Sequence, residues 1–326
     1  MNGLAQVRAL QVLAAASIES PTRLEPASSV TNEVWLTPQH VIRINRKATG
    51  RLRREAMLSR VLPPATGYPG IVSSGDGSGI DWLIMKRRPG VPLGRAWPTM
   101  SEIGRRRAIS QLAAGLKAIH GTPTPPGLPS LPTPQLIDAD AHNPFAPAQY
   151  AVHRAREIAS IPNSVVDGLA LRMQQLAGSV GPFGGETLVH GDLTFENMLW
   201  DGRDLTAIID FEWSRGAPRD LDLDVFLRMC AYPFLHVAAD LEAVTHRHDY
   251  VDVPTWLAQD YPELFRAPRL IERLELYSLA FDLRDLIECP PEADLRRLSK
   301  YHALHRIIAT LEGRGHLAQL FSTSVG

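Results

Sequence analysis

Three polar side chains suited to phosphate and metal chemistry fall within one short stretch of the 326-residue chain. Asp192 follows a short apolar run, Asn197 comes shortly after it, and Asp210 ends a second apolar run. The Asp-Gly pair between Asn197 and Asp210 predicts a hairpin. Because hairpin strands are antiparallel, the start of one strand and the end of its partner lie together. The sequence therefore predicts that the three side chains converge.

This set could hold a magnesium ion and activate a hydroxyl group. A carboxylate and an amide oxygen are hard ligands that suit Mg²⁺, which often binds nucleotide phosphates at the same time. The other carboxylate could accept the proton of an attacking hydroxyl and orient it towards a phosphoryl group. The alternative is that these residues only form turns, which are rich in Asp, Asn and Gly. We favour the chemical interpretation, because a strand as apolar as 205–210 seldom ends in an unpartnered carboxylate.

The overall composition excludes several other classes of protein. With 34 basic and 35 acidic residues and a formal net charge of −1, the totals show no strongly basic face for nucleic acid. Two cysteines are too few for a disulfide framework or a zinc cluster, and no apolar run is long enough to span a membrane. We expect a cytoplasmic monomer or homodimer that binds neither nucleic acid nor membranes.

The elements that would position the polar set fall into two parts. Short β-branched and aromatic runs predict strands in the first part, and the pattern at 51–62 predicts one helix there. The predicted strands lie at 33–36, 41–44, 71–72 and 82–85, with a turn over 73–79. A segment rich in Pro and Gly at 87–92 predicts a boundary. Beyond it the pattern is mainly helical, beginning with a helix over 101–120 that Ser101 caps.

Two segments resemble the paired motifs of the aminoglycoside phosphotransferase family of small-molecule kinases. They read HGDLTFEN at 190–197 and IDFE at 209–212, and their spacing also resembles two protein-kinase elements. Gly191, Glu212 and the absence of an A-P-E-like segment favour the small-molecule branch. The resemblance implies an α+β, two-lobed protein-kinase-like fold. It would have a small antiparallel-sheet N-lobe over 1–88 and a larger, mainly helical C-lobe over 89–326.

The same resemblance implies roles for the motif residues. Asp192 would orient and deprotonate the acceptor hydroxyl, and Asn197 and Asp210 would hold Mg²⁺. His190 would support the site together with a buried aspartate that braces the loop. For that aspartate we favour Asp222, with Asp220 as the alternative.

In the N-lobe, the resemblance implies a set of nucleotide-binding residues. They are a loop residue, a strand cation with its helix partner, and hinge residues: Asn32, Arg43, Glu55, Met85, Lys86 and Arg87. The loop 28–32 contains no glycine, so it is not a phosphate-cradling loop of the Walker or protein-kinase type. The cation would be Arg43, with Lys47 as the alternative, and a guanidinium can grip phosphate oxygens bidentately.

The resemblance also implies that C-terminal helices wall the acceptor pocket. Asp282, Asp285 and Glu288 fall along one predicted helix as an acidic stripe, which could bind a polycationic acceptor. The alternative is a solvated helix face with Arg284 nearby. We favour the solvated face, because such charge patterns are common on exposed helices.

Together, the motifs and the resemblance predict a phosphotransferase that uses ATP or GTP and Mg²⁺ to phosphorylate a hydroxyl of a small molecule. The first candidate acceptor is an aminoglycoside-like or other antibiotic. One alternative is a metabolic kinase of the same fold, acting on choline, homoserine, a sugar or a nucleoside-like alcohol. Another is a nucleotide-binding pseudokinase, against which the intact set of three polar residues argues.

Overall fold

The structure is a computed structural model. It describes residues 2–19, 21–27, 29, 32–47, 49–77, 79–129, 133, 135–138, 143–181, 187–292 and 294–321.

The first part of the chain folds into a five-stranded antiparallel sheet with strand order β1-β2-β3-β5-β4. Its strands are β1 (Glu25–Ala27), β2 (Glu33–Leu36), β3 (His40–Asn45), β4 (Ile71–Gly77) and β5 (Ile80–Lys86). Helix α1 (Asn2–Ala15) packs on one face of the sheet, and α2 (Arg51–Leu58) packs on the other. The predicted pairing of 33–36 with 41–44 is confirmed.

Alternation along β3 decides which of its side chains faces α2 and the rest of the chain. Successive side chains of a strand point to opposite faces. Ile42 and Ile44 pack beneath α1, so Arg43 points to the face that α2 covers. There it meets Glu55 of α2.

Two predicted boundaries in this part are wrong. The helix predicted over 51–62 ends at Leu58, since the prolines at 63 and 64 cannot continue it. Residues 73–77, predicted as part of a turn from their Gly, Ser and Asp, belong to β4 and pair with β5. Pairing with an apolar neighbour overrides weak strand propensity. Gly75 also leaves room for Trp82, whose ring would lie 2.6 Å from a Cβ there.

The rest of the chain contains two small sheets and most of the helices. One sheet has the order β6-β8-β9, built from β6 (Val91–Pro92), β8 (Met198–Trp200) and β9 (Leu205–Ile208). The other pairs β7 (Leu188–Val189) with β10 (Arg215–Gly216). The helices are α3 (Leu93–Ala96), α4 (Glu102–His120), α5 (Ala146–Arg156), α6 (Asn163–Leu176), α7 (Asp220–Ala231), α8 (Val253–Asp260), α9 (Leu270–Glu288), α10 (Ala303–Leu311) and α11 (His316–Phe321).

Two of these elements confirm predictions that matter for the site. The hairpin around the Asp-Gly pair is β8–β9. The helix predicted over 101–120 is α4, and the Ser101 hydroxyl caps it by accepting from the amide of Gly104 at 3.2 Å. Both elements lie on one apolar cluster that includes Met198, Ile208 and Leu112, so the loops between the small strands have a fixed base.

The architecture is α+β, with a small antiparallel sheet and a larger helical part, as predicted. The predicted division between residues 88 and 89 falls between β5 and β6 and stays a prediction. Among the helices in the described part of the chain, none has both the length and the apolar character needed to cross a membrane.

Candidate active site

The segment 190–197 forms a loop between β7 and β8, and its first turn depends on a glycine. Gly191 has a φ of +84°, a left-handed conformation that glycine adopts at no steric cost. A Cβ here would lie 2.4 Å from the carbonyl oxygen of Trp213. Glycine at this position therefore follows from the close approach of the segment after β9.

Asp222, in the first turn of α7, braces this loop. Its carboxylate accepts hydrogen bonds from the amides of His190 and Gly191, each at 2.7 Å, and lies 3.0 Å from Nε2 of His120. Burial alone would raise the pKa of Asp222. The hydrogen bond with His120 and the loop amide outweigh burial and hold the pKa below its ordinary value. The ionised carboxylate therefore fixes the loop backbone.

Two further residues, His120 and Asp220, show how Asp222 is held and which aspartate braces the loop. His120 was not predicted, because in the sequence it is only a polar residue at the end of a helix. Its Nδ1 lies 3.1 Å from the Tyr261 hydroxyl, so the ring links α8 and the chain after it to Asp222. Asp220, the alternative brace, instead accepts from Arg273 of α9 at 2.6 Å and 2.9 Å.

Within the loop, Asn197 holds Asp192 in place. The side-chain amide of Asn197 donates to the backbone carbonyl of Asp192 at 2.8 Å and to its Oδ2 at 3.0 Å. His190 connects the loop to the residue that follows β9, because its Nδ1 accepts from the amide of Asp192 at 3.3 Å and its Nε2 lies 2.9 Å from the carbonyl oxygen of Ile209. The donors of Asn197 are thus committed to Asp192, and its Oδ1 remains for a cation.

The pKa of Asp192 suits a proton acceptor. Burial raises the pKa of this carboxyl, and the negative charge of Asp210 raises it further. His190, the Asn197 amide and the positive charge of Arg284 lower it, but the net direction is upward. A carboxylate with a raised pKa accepts a proton more readily than an ordinary one.

Asp210 leaves β9 in an unusual backbone conformation. Its φ is +65° and its ψ is 61°, a region that non-glycine residues occupy mainly where the surrounding structure fixes them. The amide of Ile209 donates to the carbonyl of Asn197 at 2.9 Å, which ties the end of β9 to the loop. Asp192, Asn197 and Asp210 therefore lie at the same end of the β8–β9 hairpin.

Arg43 of β3 connects the large sheet to this end of the hairpin. It donates to Glu55 of α2 at 2.6 Å, to Oδ1 of Asp210 at 2.7 Å and to Oε2 of Glu212 at 3.4 Å. Burial alone would lower the pKa of Arg43, but the three carboxylates outweigh burial and raise the pKa above its ordinary value. The guanidinium stays charged. We call Arg43, Glu55, Asp210 and Glu212 the cleft cluster; the alternative cation, Lys47, is exposed.

Glu212 had no predicted role, although it belongs to the cleft cluster. Its side chain is 2% exposed, and Oε2 also accepts from Asn32 at 3.1 Å. Burial, and then the charge of Asp210, raise the pKa of Glu212 to about 7. The signal was present in the sequence, since Asp210 and Glu212 place two carboxylates at and just after the end of one apolar run.

The structure gives less direct support for the other residues that were predicted to contact the nucleotide. In the loop 28–32, residues 28, 30 and 31 lie outside the described residues, and Asn32 is buried beside Glu212. Met85 is buried in the sheet. The amide of Lys86 donates to the carbonyl of Gly70 at 2.9 Å, and that of Arg87 donates to the carbonyl of residue 39 at 2.7 Å. These two amides are occupied, so a bound base would use other backbone groups of 85–90.

The acidic stripe on α9 differs from the favoured prediction at its first member. Asp282 is 2% exposed, so the prediction of a solvated face is wrong for this residue. Its Oδ1 accepts from Arg228 of α7 and from Arg306 of α10, each at 2.7 Å. Spacing along α9 showed which face these carboxylates share, but not that two other helices bring arginines to it.

The rest of the stripe is also paired with arginines. Asp285 accepts from Arg306 and from Arg284, each at 2.7 Å, and Glu288 lies 3.7 Å from Arg284. The charges of the carboxylates and guanidinium groups therefore balance. We call the set the α9 network: Arg228, Asp282, Arg284, Asp285, Glu288 and Arg306.

The sequence model of the APH phosphotransferase enzyme family matches residues 22–258. The chain belongs to this phosphotransferase family. The match contains both motifs and the whole cleft cluster, and it confirms the predicted membership among small-molecule phosphotransferases. No curated protein sequence matches the chain.

Solved structures of aminoglycoside phosphotransferases are similar to this phosphotransferase over almost its whole length. ADP-bound APH(2'')-Ib is 16% identical, with a TM-score of 0.62, over 98% of this chain and 100% of that one. The streptomycin–ATP complex of APH(2'')-IIa is 16% identical, with a TM-score of 0.63, over 97% and 98%. The GDP complex of aminoglycoside 2'-phosphotransferase-IIIa is 17% identical, with a TM-score of 0.65, over 98% and 100%. The likeness confirms the predicted fold.

Proposed function

We propose that this phosphotransferase moves the γ-phosphoryl group of ATP or GTP to a hydroxyl group of a small molecule. The observation that carries the proposal is that Asp192, Asn197 and Asp210 share one end of the β8–β9 hairpin, beside Arg43. Phosphoryl transfer requires a proton acceptor, oxygen ligands for a metal and a cation that binds phosphate, and these four residues could supply all of them. Three of the similar solved structures contain ADP, ATP or GDP, which supports a nucleotide as the phosphoryl donor.

Asp192 would orient the acceptor and take its proton. The acceptor oxygen would attack the γ-phosphorus in line with the bond to the β-phosphate oxygen, which breaks as the new bond forms. The hydroxyl proton would pass to the carboxylate of Asp192. Asn197 and His190 fix that carboxylate and its backbone, and Asp222 fixes the loop beneath them, so little reorganisation is needed at the moment of transfer.

The donor set fits one magnesium ion. Among the described residues, no group of three or more His, Cys, Asp or Glu side chains has the geometry of a metal site. Mg²⁺ in nucleotide sites needs fewer protein ligands, because phosphates and water supply the others. Oδ1 of Asn197 and Oδ2 of Asp210 are two suitable oxygens, and the cleft cluster has more carboxylates than cations. When bound, the ion would neutralise charge on the transferring group.

On the other side of the cleft, Arg43 would bind the nucleotide phosphates and Glu55 would hold Arg43 in position. Arg43 already contacts Asp210 at 2.7 Å, so phosphates bound to Arg43 would lie beside the proposed metal ligand. Asn32 would fix the covering loop through its bond to Glu212. The backbone of the segment that begins Met85, Lys86 and Arg87 would contact the base.

The first candidate acceptor is an aminoglycoside-like or other antibiotic, since two of the similar structures are described as complexes with streptomycin and kanamycin. A metabolic alcohol such as choline, homoserine, a sugar or a nucleoside is the second candidate. One observation favours the second: each carboxylate of the acidic stripe on α9 already has an arginine partner. Asp282, Asp285 and Glu288 would shape the acceptor wall rather than supply free negative charge.

Asp192→Asn tests the proposal. Losing the proton acceptor should lower phosphoryl transfer by about 10²–10⁴-fold while nucleotide binding is kept. The measurement is nucleotide turnover against a panel of hydroxylated antibiotics and small metabolites, and the class that stimulates turnover identifies the acceptor. The control is Asp167→Asn, whose side chain is 65% exposed on α6 and which should behave as wild type. Near-wild-type turnover by Asp192→Asn would refute the role of Asp192.

A further inference from the structure

Tyr68 contacts the site both at α2 and at the segment after β9, but it belongs to neither sequence motif. It lies in the loop 59–70 between α2 and β4. Its hydroxyl donates to Oε1 of Glu55 at 2.8 Å. Its ring packs edge-on against Phe211, with the ring centres 5.5 Å apart and the planes at 82°. Tyr68 thus contacts the partner of Arg43 and the residue directly after Asp210.

The loop that carries Tyr68 is held against the strand that ends in Asp210. Gly67, with a φ of +60°, lies so close to β9 that a Cβ there would be 2.2 Å from the carbonyl oxygen of Thr206. The hydroxyl of Thr66 accepts from the amide of Tyr68 at 3.2 Å and donates to the carbonyl of Pro63 at 2.8 Å. The backbone at Tyr68 is therefore fixed relative to β9, not only relative to α2.

The hydrogen bonds to Glu55 show what the Tyr68 hydroxyl contributes. Glu55 is completely buried. Its Oε2 accepts from Arg43 at 2.6 Å, while Oε1 accepts from the Tyr68 hydroxyl at 2.8 Å and from the amide of Phe211 at 3.2 Å. Burial, and then the charge of Glu55, raise the pKa of Tyr68 well above its ordinary value, so the hydroxyl remains a donor. Without it, Oε1 would retain only the longer bond from the amide.

We propose that Tyr68 is a positioning residue for the nucleotide: its hydroxyl fixes Glu55, Glu55 fixes Arg43, and Arg43 meets the phosphates. The ring of Tyr68 also fixes Phe211, so the residue aligns the phosphate-binding cation with the metal-binding segment. The inference rests on the proposed function, because it assigns Tyr68 a role only if Mg·nucleotide binds at the cleft cluster.

Tyr68→Phe keeps the ring and removes only the hydroxyl. We expect the dissociation constant of Mg·ADP, measured by calorimetry without any acceptor, to rise several-fold; the net value of a hydrogen bond to a charged group sets the upper limit at roughly tenfold. The matched control is Tyr277→Phe, which removes another buried tyrosine hydroxyl, bonded to Arg273 at 3.1 Å. It should bind Mg·ADP as wild type does. Equal affinities of Tyr68→Phe and wild type would overturn the inference.

A double-mutant cycle separates positioning from a merely structural role. In the Glu55→Gln background the hydroxyl no longer has a carboxylate to hold, so Tyr68→Phe should add less than a twofold further loss of Mg·ADP affinity. Additive losses would overturn the inference, because they would show that Tyr68 acts independently of Glu55. Thermal unfolding of each variant tests whether the fold is kept. If wild type binds neither Mg·ADP nor Mg·GDP, the proposed function fails, and this inference fails with it.

Discussion

The cleft cluster and the α9 network both combine buried with partly exposed arginines and carboxylates, yet their charges differ. In the cleft cluster, Arg43 contacts three carboxylates, and the partly exposed Arg51 lies 4.0 Å from one of them, Glu212, so carboxylates still outnumber guanidinium groups. In the α9 network, three guanidinium groups meet three carboxylates, and Asp282 lies between two of them. A buried charge is stable only when it is paired. An excess of carboxylates, as in the cleft cluster, therefore indicates a place for a further cation. Equal numbers of carboxylates and guanidinium groups, as in the α9 network, indicate a structural role.

The largest expected effect is on activity, in the cleft cluster. Asp210→Asn removes one proposed metal ligand and should lower phosphoryl transfer by roughly 10³-fold, because a bound metal contributes several kcal/mol to charge stabilisation. The stability of the nucleotide-free protein should change little, since Arg43 keeps two carboxylate partners. Turnover at varied Mg²⁺ and thermal unfolding measure the two quantities.

Asp201→Asn is the matched control, because Asp201 lies in the turn at the opposite end of the same hairpin. It should retain wild-type turnover. Should Asp210→Asn unfold more easily while its turnover and Mg²⁺ dependence are unchanged, the contrast between the two sets of charges would be wrong.

The second effect is on stability, in the α9 network. Asp282→Asn leaves Arg228 and Arg306 buried beside a neutral group, which should reduce the free energy of unfolding by about 3–5 kcal/mol. Mg·nucleotide affinity of the folded protein should be unchanged. Glu288→Gln serves as the control, since its side chain is 64% exposed and exposed pairs contribute less than about 1 kcal/mol. Equal effects in the two variants, measured by denaturant unfolding, would contradict the structural role.

A smaller effect is expected on the pH dependence of stability, at Asp224 next to the α9 network. Burial raises the pKa of Asp224 to about 6, although Ser278 donates to it at 2.5 Å. Between about pH 4 and pH 6, the unfolded carboxyl releases its proton before the folded one does. Stability should therefore fall as pH rises through this window, by at most about 3 kcal/mol.

Asp224→Asn should remove that part of the pH dependence, because its amide does not titrate. Urea unfolding at a series of pH values measures the slope, and Asp167→Asn controls for the loss of an exposed carboxylate. An unchanged slope in Asp224→Asn would show that another group titrates in this window.

The sequence predicted the parts of the site that are local and missed those that depend on distant packing. The hairpin signal between Asn197 and Asp210 and the motif spacing were sufficient to place the loop 190–197, because a short hairpin fixes its own geometry. Tyr68, His120 and the arginine partners of Asp282 could not be found in this way. Their neighbours come from elements far apart in the chain, and hydrophobic periodicity predicts which face is buried but not which side chain meets it.

Helix α1 covers the outer face of the large sheet, although the family match begins only at residue 22. It buries Trp35, Ile42 and Ile84, and Arg8 donates twice to Glu33, at 3.0 Å and 2.8 Å. A shortened protein that starts at residue 22 would keep each proposed catalytic residue. It would also present a contiguous apolar surface to water, a feature that promotes aggregation. We therefore expect the recombinant yield of soluble protein to depend on α1, a helix that carries none of the proposed site residues.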